Sequence, residues 1–131
     1  MGNVANVTVR GALHGEVDHV VDIADTAAAL QSGDVPVLGT PEVIRLSEEA
    51  TVAALHGYLA EGQTSVSCRV EVSHVAPVAV GGKVRAVATL ERTEGRRMVF
   101  AVSVSDTSGL VAAGKITRIV VDREHFLHKA R

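Results

Sequence analysis

His74 is the first residue of this sequence whose position asks for a chemical explanation. It follows a stretch, 64–72, in which Val66, Cys68, Val70 and Val72 alternate with Ser67, Arg69, Glu71 and, just beyond, Ser73. Alternation of period two predicts a half-buried strand, and His74 extends the even-numbered, apolar series. Imidazole is the side chain that exchanges protons near neutral pH. An inward histidine is therefore either a satisfied structural group or a general base. Glu48 raises the same question on a helix. At ~100° per residue it falls between Leu55 and Leu59 inside the apolar arc, while its neighbour Glu49 falls on the polar side. A carboxylate in apolar surroundings finds a partner or titrates upward. Thr40 stands at the predicted start of that helix, where its hydroxyl is either a cap or part of a site. From Thr40 to Glu48 is about two turns, or ~12 Å along the axis. The two can share a site only if a substrate or a neighbouring subunit lies between them. Cys68, in the apolar series, is expected to be a small core residue rather than a reactive thiol.

The elements that must position these groups can be read from the pattern. Residues 1–13 are Gly- and Asn-rich and are expected to form a peripheral arm. Residues 16–24, "EVDHVVDIA", predict a strand, and the Ala-rich 25–31 a short helix. Thr40-Pro41-Glu42 is a strong helix start, with Thr as N-cap, Pro at the first turn and Glu at the positive end of the dipole. The helix is expected to run to residue 59 or 60. Four strand-like segments follow, at 64–75, 83–93, 97–106 and 110–122, joined by short turns at Gly81-Gly82, Glu94-Gly95 and Thr107-Ser108-Gly109. Short links predict an antiparallel meander. The expected fold class is α+β, with one long helix covered by the sheet. On the helical wheel Glu42, Arg45, Glu49 and His56 form a narrow polar arc. Val43, Ile44, Ala50, Val52, Ala54, Leu55, Tyr58 and Leu59 fill a wide apolar one, which predicts a helix surrounded on several sides.

Composition narrows the function classes. With 131 residues and 47% apolar content, the chain fits one domain with a real core. Two Phe, one Tyr and no Trp leave that core to aliphatic residues and argue against base-stacking platforms. A net charge of −2 gives no electrostatic case for nucleic acid or a membrane surface. A single cysteine excludes an internal disulfide and a cysteine zinc site. No metal or cofactor is expected. No apolar run approaches the ~18 residues of a membrane span, and the first residues lack a signal-peptide pattern. The expectation is a cytoplasmic protein.

Residues 35–127 resemble the hot-dog fold acyl-CoA thioesterases, specifically the fluoroacetyl-CoA-thioesterase-like branch. The resemblance rests on "LGTPEVIRLSEEA", "SCRVEVSHVAPVAVGGKV", "LERTEGRRMVFAVSVSD" and "GKITRIVV". In that family a Thr, a helix Glu and a strand His form the catalytic set, spaced by eight and then twenty-six residues. Thr40, Glu48 and His74 reproduce both intervals. The resemblance implies an antiparallel sheet wrapped around one long central helix. It also implies a homodimer joined edge to edge, with active sites at the subunit interface. Thr40 would then act with Glu48 and His74 of the other chain. It further implies hydrolysis of an acyl-CoA thioester. Glu48 would attack the carbonyl or activate water, His74 would act as general base, and Thr40 would position the carboxylate or the substrate.

Arg118, in "GKITR", is a candidate ligand for the CoA phosphates, and Gly82 a second substrate contact. Fluoroacetyl-selective members carry aromatic residues before the catalytic Thr. The segment "SGDVPVLG" has none, which argues against fluoroacetyl-CoA and leaves an open or aliphatic-lined entrance for a small or medium acyl group. Three rivals remain. A non-catalytic CoA-ester or small-ligand binding protein on the same fold would bind without turnover. A hydratase would need an Asp/His pair near the helix start, which is missing. A plain dimerisation module would bind no CoA.

Overall fold

The computed structural model describes residues 13–131. Five antiparallel strands form one sheet: β1 (His14–Val20), β2 (Gln63–His74), β3 (Lys83–Glu94), β4 (Arg97–Asp106) and β5 (Gly109–Asp122). Their order is β1-β3-β4-β5-β2. One long helix, α1 (Thr40–Ala54), lies against the sheet, and a short helix, α2 (Arg123–His128), follows β5. Among the described residues β1 and β2 are the two edges. The sheet curls because its ladders slip at Ser67/Arg69, Leu90/Arg92 and Val104/Ser105. Each extra residue bends and twists its strand.

The core lies between the sheet and the helix. Val43, Leu46 and Ala50 from α1 meet Ala86, Ala88, Phe100, Val104 and Ile116 from the strands, all fully buried. Two glycines permit the close approach. A Cβ on Gly15 would sit 2.3 Å from the Ala50 carbonyl oxygen, so α1 rests directly on the β1 backbone. A Cβ on Gly114 would collide with Glu71 of the adjoining strand.

Several boundaries differ from expectation, each for a local reason. The first strand ends at Val20 because Asp22 caps a 3-10 turn, Ile23–Asp25, accepting a hydrogen bond from the Ile23 amide at 2.6 Å. The expected 25–31 helix is a set of turns tied back by the Thr26–Leu38 bridge. α1 stops at Ala54, and Gly57 with φ of 77° lies in the turn beyond it. Tyr58, given a place on the apolar arc, is consequently off the helix and exposed, and Val52 is 53% exposed. Gly39, not Thr40, is the N-cap, and Thr40 is the first helical residue. Helix α2 was not expected. Its signal is Asp122, whose carboxylate accepts from the His125 amide at 2.9 Å. Residues 1–12, most of the expected arm, lie outside the described residues, and Leu13 is buried in the core. No described helix is long and apolar enough to cross a membrane.

Candidate active site

Thr40 and His74 meet within one chain. Because Gly39 is the cap, the Thr40 hydroxyl is not held by a helix amide. Its Oγ1 lies 2.9 Å from His74 Nδ1. His74 is the last residue of β2, and its Nε2 lies 3.0 Å from the Ala76 carbonyl oxygen. A carbonyl only accepts, so Nε2 carries the proton. In the neutral ring Nδ1 is then the acceptor, and the Thr40 hydroxyl donates to it. A hydroxyl, a base and a group that orients the base form the chain of contacts an activated nucleophile requires. The expectation that Thr40 meets His74 across a subunit seam is therefore corrected: the pair belongs to a single protomer.

Glu48 stands apart from that pair, with its own partners. Its Oε1 accepts a hydrogen bond from Ser67 Oγ and lies 3.9 Å from Arg118 Nη1. Among the described residues its Oε2 has no partner. The reason Ser67 can reach it is the bulge in β2. Ser67 pairs with Arg118 and Val70 with Ile116, so Cys68 is the extra residue. The side-chain alternation changes phase there. His74, Val72 and Val70 face the helix from even positions, whereas Ser67 and Ser65 face it from odd ones. Strict alternation predicted the reverse for Ser67, and it predicted a core role for Cys68. Cys68 is instead exposed, with Arg97 Nη1 3.2 Å from its sulfur.

Arg118 is also not where the phosphate reading puts it. It is 7% exposed and lies beneath α1. Its Nε donates to Ser65 Oγ at 2.9 Å, Nη2 to the Ser65 carbonyl at 3.0 Å and Nη1 to Thr51 Oγ1 at 3.3 Å. Burial pulls the guanidinium below its ordinary value, and Glu48 opposes that pull. A side chain so committed is not a cleft-mouth ligand for CoA. Gly82 closes the turn before β3. Its amide donates to the Ala79 carbonyl at 3.0 Å, its carbonyl accepts from Val21, and a Cβ would strike Val78. The geometry gives it a packing role.

One charged cluster escaped the sequence reading. Glu42, assigned to the solvated arc, is buried. Arg45 donates to both its oxygens at 2.8 Å, and His19 Nε2 lies 3.4 Å from Oε2 and 2.7 Å from Asp25 Oδ2. Burial pushes the Asp25 carboxyl up, but the Asp22 amide and then His19 outweigh it and hold it below the usual carboxylate value. Arg45 is held above its ordinary value by Glu42 and Glu49 despite desolvation. His19, Asp25 and Glu42 have the ligand types of a metal site. Arg45 already supplies the positive charge there, so the cluster reads as a clamp between β1 and the first turn of α1. The sequence signal was the i,i+3 pair Glu42/Arg45.

The model of the fluoroacetyl-CoA-specific thioesterase family matches residues 21–124. The chain belongs to that family. Its members hydrolyse acyl-CoA thioesters, so this protein is a thioester hydrolase by descent. The fluoroacetyl-CoA thioesterase of Streptantibioticus cattleyicolor is 34% identical over 95 residues, covering 72% of this chain and 68% of the relative. The solved structure of the fluoroacetyl-CoA thioesterase FlK superimposes with a TM-score of 0.83 at 30% identity, covering 88% and 90% of the two chains. A Thermus thermophilus thioesterase superfamily member gives 0.82 at 26% identity over 88% and 85%. A hot-dog-like protein from Thermanaerovibrio acidaminovorans gives 0.82 at 27% over 88% and 86%. The fold is the hot-dog fold, as the resemblance implied.

Proposed function

We propose that this protein hydrolyses a small or medium acyl-CoA thioester to a carboxylate and free CoA, with Thr40, His74 and Glu48 as the working groups. The observation that carries the reading is the Thr40–His74–Ala76 chain of contacts. The Thr40 oxygen attacks the thioester carbonyl while His74 Nδ1 takes its proton. The C–S bond then breaks, and His74 returns that proton to the CoA thiolate. Water attacks the acyl-threonine as Glu48 takes one of its protons; the bond from the acyl carbon to the Thr40 oxygen breaks, that oxygen takes the proton back from Glu48, and the acid departs as its carboxylate with release of a proton. The N-terminus of α1, at Thr40, favours the oxyanion formed at each stage.

Glu48 must come from a second copy. It is tied to Ser67, seven residues from His74, or roughly 20 Å along a strand. β2 is a sheet edge, and Val70 on it and Val52 on the adjacent flank of α1 are exposed apolar residues. Antiparallel pairing of β2 with a second β2 about Val70, with Cys68 left out of the ladder as it is against β5, would set His74 opposite Ser65 of the second copy, beside that copy's Glu48 carboxylate. These features support a homodimer with two composite sites. The segment before Thr40 presents Val35 and Val37 rather than aromatic groups, which favours an aliphatic acyl chain.

The test is thiol release from acetyl- through decanoyl-CoA and phenylacetyl-CoA by the wild type, Thr40→Ala, His74→Ala and Glu48→Gln. Turnover abolished in all three variants is the expected result, with an acyl adduct on Thr40 by mass spectrometry after quenching. Full turnover in Thr40→Ala would eliminate the nucleophile. Saturable binding with no turnover on any ester would move the protein to the CoA-ester binding class. A 13.7 kDa species by light scattering would contradict the composite site.

A further inference from the structure

The Glu48 carboxylate is held asymmetrically, and the asymmetry has a chemical consequence. Oε1 accepts from Ser67 Oγ and faces the buried Arg118 guanidinium. Oε2 has no partner among the described residues. The side chain is 35% exposed, so Glu48 is not sealed off from solvent. A carboxylate at this helix position would otherwise sample several rotamers. A hydrogen bond from a hydroxyl to an ionised oxygen is strong enough to select one. Ser67 is in reach only because of the bulge at Cys68, and Arg118 is its direct partner across the ladder.

We infer that Ser67 is a positioning residue for Glu48: it binds Oε1, with Arg118 behind it, and so aims Oε2 at the water that cleaves the acyl-enzyme. This rests on the thioesterase reading and adds a specific step to it. If Ser67 acts through Glu48, removing its hydroxyl slows the hydrolysis of the acyl-threonine and leaves the first step, which belongs to Thr40 and His74, unchanged. A purely structural serine would slow both steps or neither.

Ser67→Val replaces the hydroxyl by a methyl group, adds a second methyl on Cβ, and leaves no room for a substituting water. Ser67→Ala guards against a packing clash, and Ser67→Thr keeps the hydroxyl. The assay is stopped-flow thiol release from whichever ester of the panel the wild type hydrolyses fastest, with thermal unfolding of each variant alongside. The expected result is an undiminished burst of thiol followed by a steady state slowed about tenfold or more, as loss of one charge-assisted bond implies. Thr should restore turnover, and unfolding should be little changed. Glu48→Gln should show the same burst, and adding Ser67→Val to it should cost nothing further. A wild-type steady state in Ser67→Val, or a burst reduced in step with turnover, would overturn the inference while leaving the thioesterase reading intact. Absence of any turnover in the wild type would instead sink the reading on which it rests.

Discussion

Arg118→Met separates two roles for a charge buried beneath α1. In the wild type the guanidinium donates to Ser65 Oγ, the Ser65 carbonyl and Thr51 Oγ1. Methionine fills much of the same volume but supplies no donor. A hydrogen bond from a charged donor contributes roughly 1.5–3 kcal/mol net. The two hydroxyls can partly recover by rotating, and Thr51 Oγ1 already donates to the Glu48 carbonyl at 2.6 Å. The Ser65 carbonyl cannot recover its lost partner so readily. The 3.9 Å contact to half-open Glu48 adds little, since solvent screens it. The sum is a loss of about 2–4 kcal/mol. For a domain of this size that is roughly a 10 °C fall in Tm. Urea and thermal unfolding measure it directly. A phosphate ligand at the cleft mouth would behave in the opposite way, with unfolding within ~0.5 kcal/mol of wild type and a raised KM for CoA esters. That second pattern would refute the placement of Arg118 beneath α1.

Three further substitutions test the packing and the charge clamp. Gly15→Ala puts a Cβ 2.3 Å from the Ala50 carbonyl oxygen. It should destabilise by ~3 kcal/mol or more, whereas a neutral result in urea unfolding would mean that α1 does not rest on β1. Cys68→Ser should change stability by less than ~0.5 kcal/mol because the residue is exposed; a core thiol would cost several times that. Asp25 has a folded-state pKa below its ordinary 3.8. Its ionised form therefore stabilises the fold above that value and ceases to as pH falls through the folded pKa. The stability gap between wild type and Asp25→Asn should be open at neutral pH and narrow as pH falls from the ordinary 3.8 through the lower folded value. A gap that stays constant across that range, by urea unfolding, would mean that the Asp22 amide and His19 do not hold the ionised carboxylate.

The strands of the second half were legible because each has its own alternation and its own turn. Lys83 to Glu94, Arg97 to Asp106 and Gly109 to Asp122 came out within a residue of expectation. The first half was not. Val20, Val21 and Ile23 carry strand propensity, but Asp22 and Asp25 hold the chain in a 3-10 turn through side-chain bonds that no period reveals. Thr40 illustrates the same point at the candidate site. Its residue type and its place before Pro41 made it a sound N-cap, yet its hydroxyl goes to His74, thirty-four residues away. Glu42 misled for a related reason. Its arc was read as solvated from its own helix, while its burial is decided by His19 and Asp25 on other elements.

The β2 bulge ties these observations together. In an unbroken strand every residue facing α1 would share one parity, and His74 fixes that parity as even. Ser67 would then face away, leaving Glu48 with only the distant Arg118 contact. One extra residue at Cys68 lets the same strand present Ser67 to the middle of the helix and His74 to its first turn. It also turns Cys68 out and opens the exposed stretch that continues through Glu71, which is the part of the edge a second copy must cover. Deleting Cys68 should therefore do more than trim an exposed loop. It restores one parity along β2, so either Ser67 or His74 must leave the helix face, and one of the two halves of the site is lost.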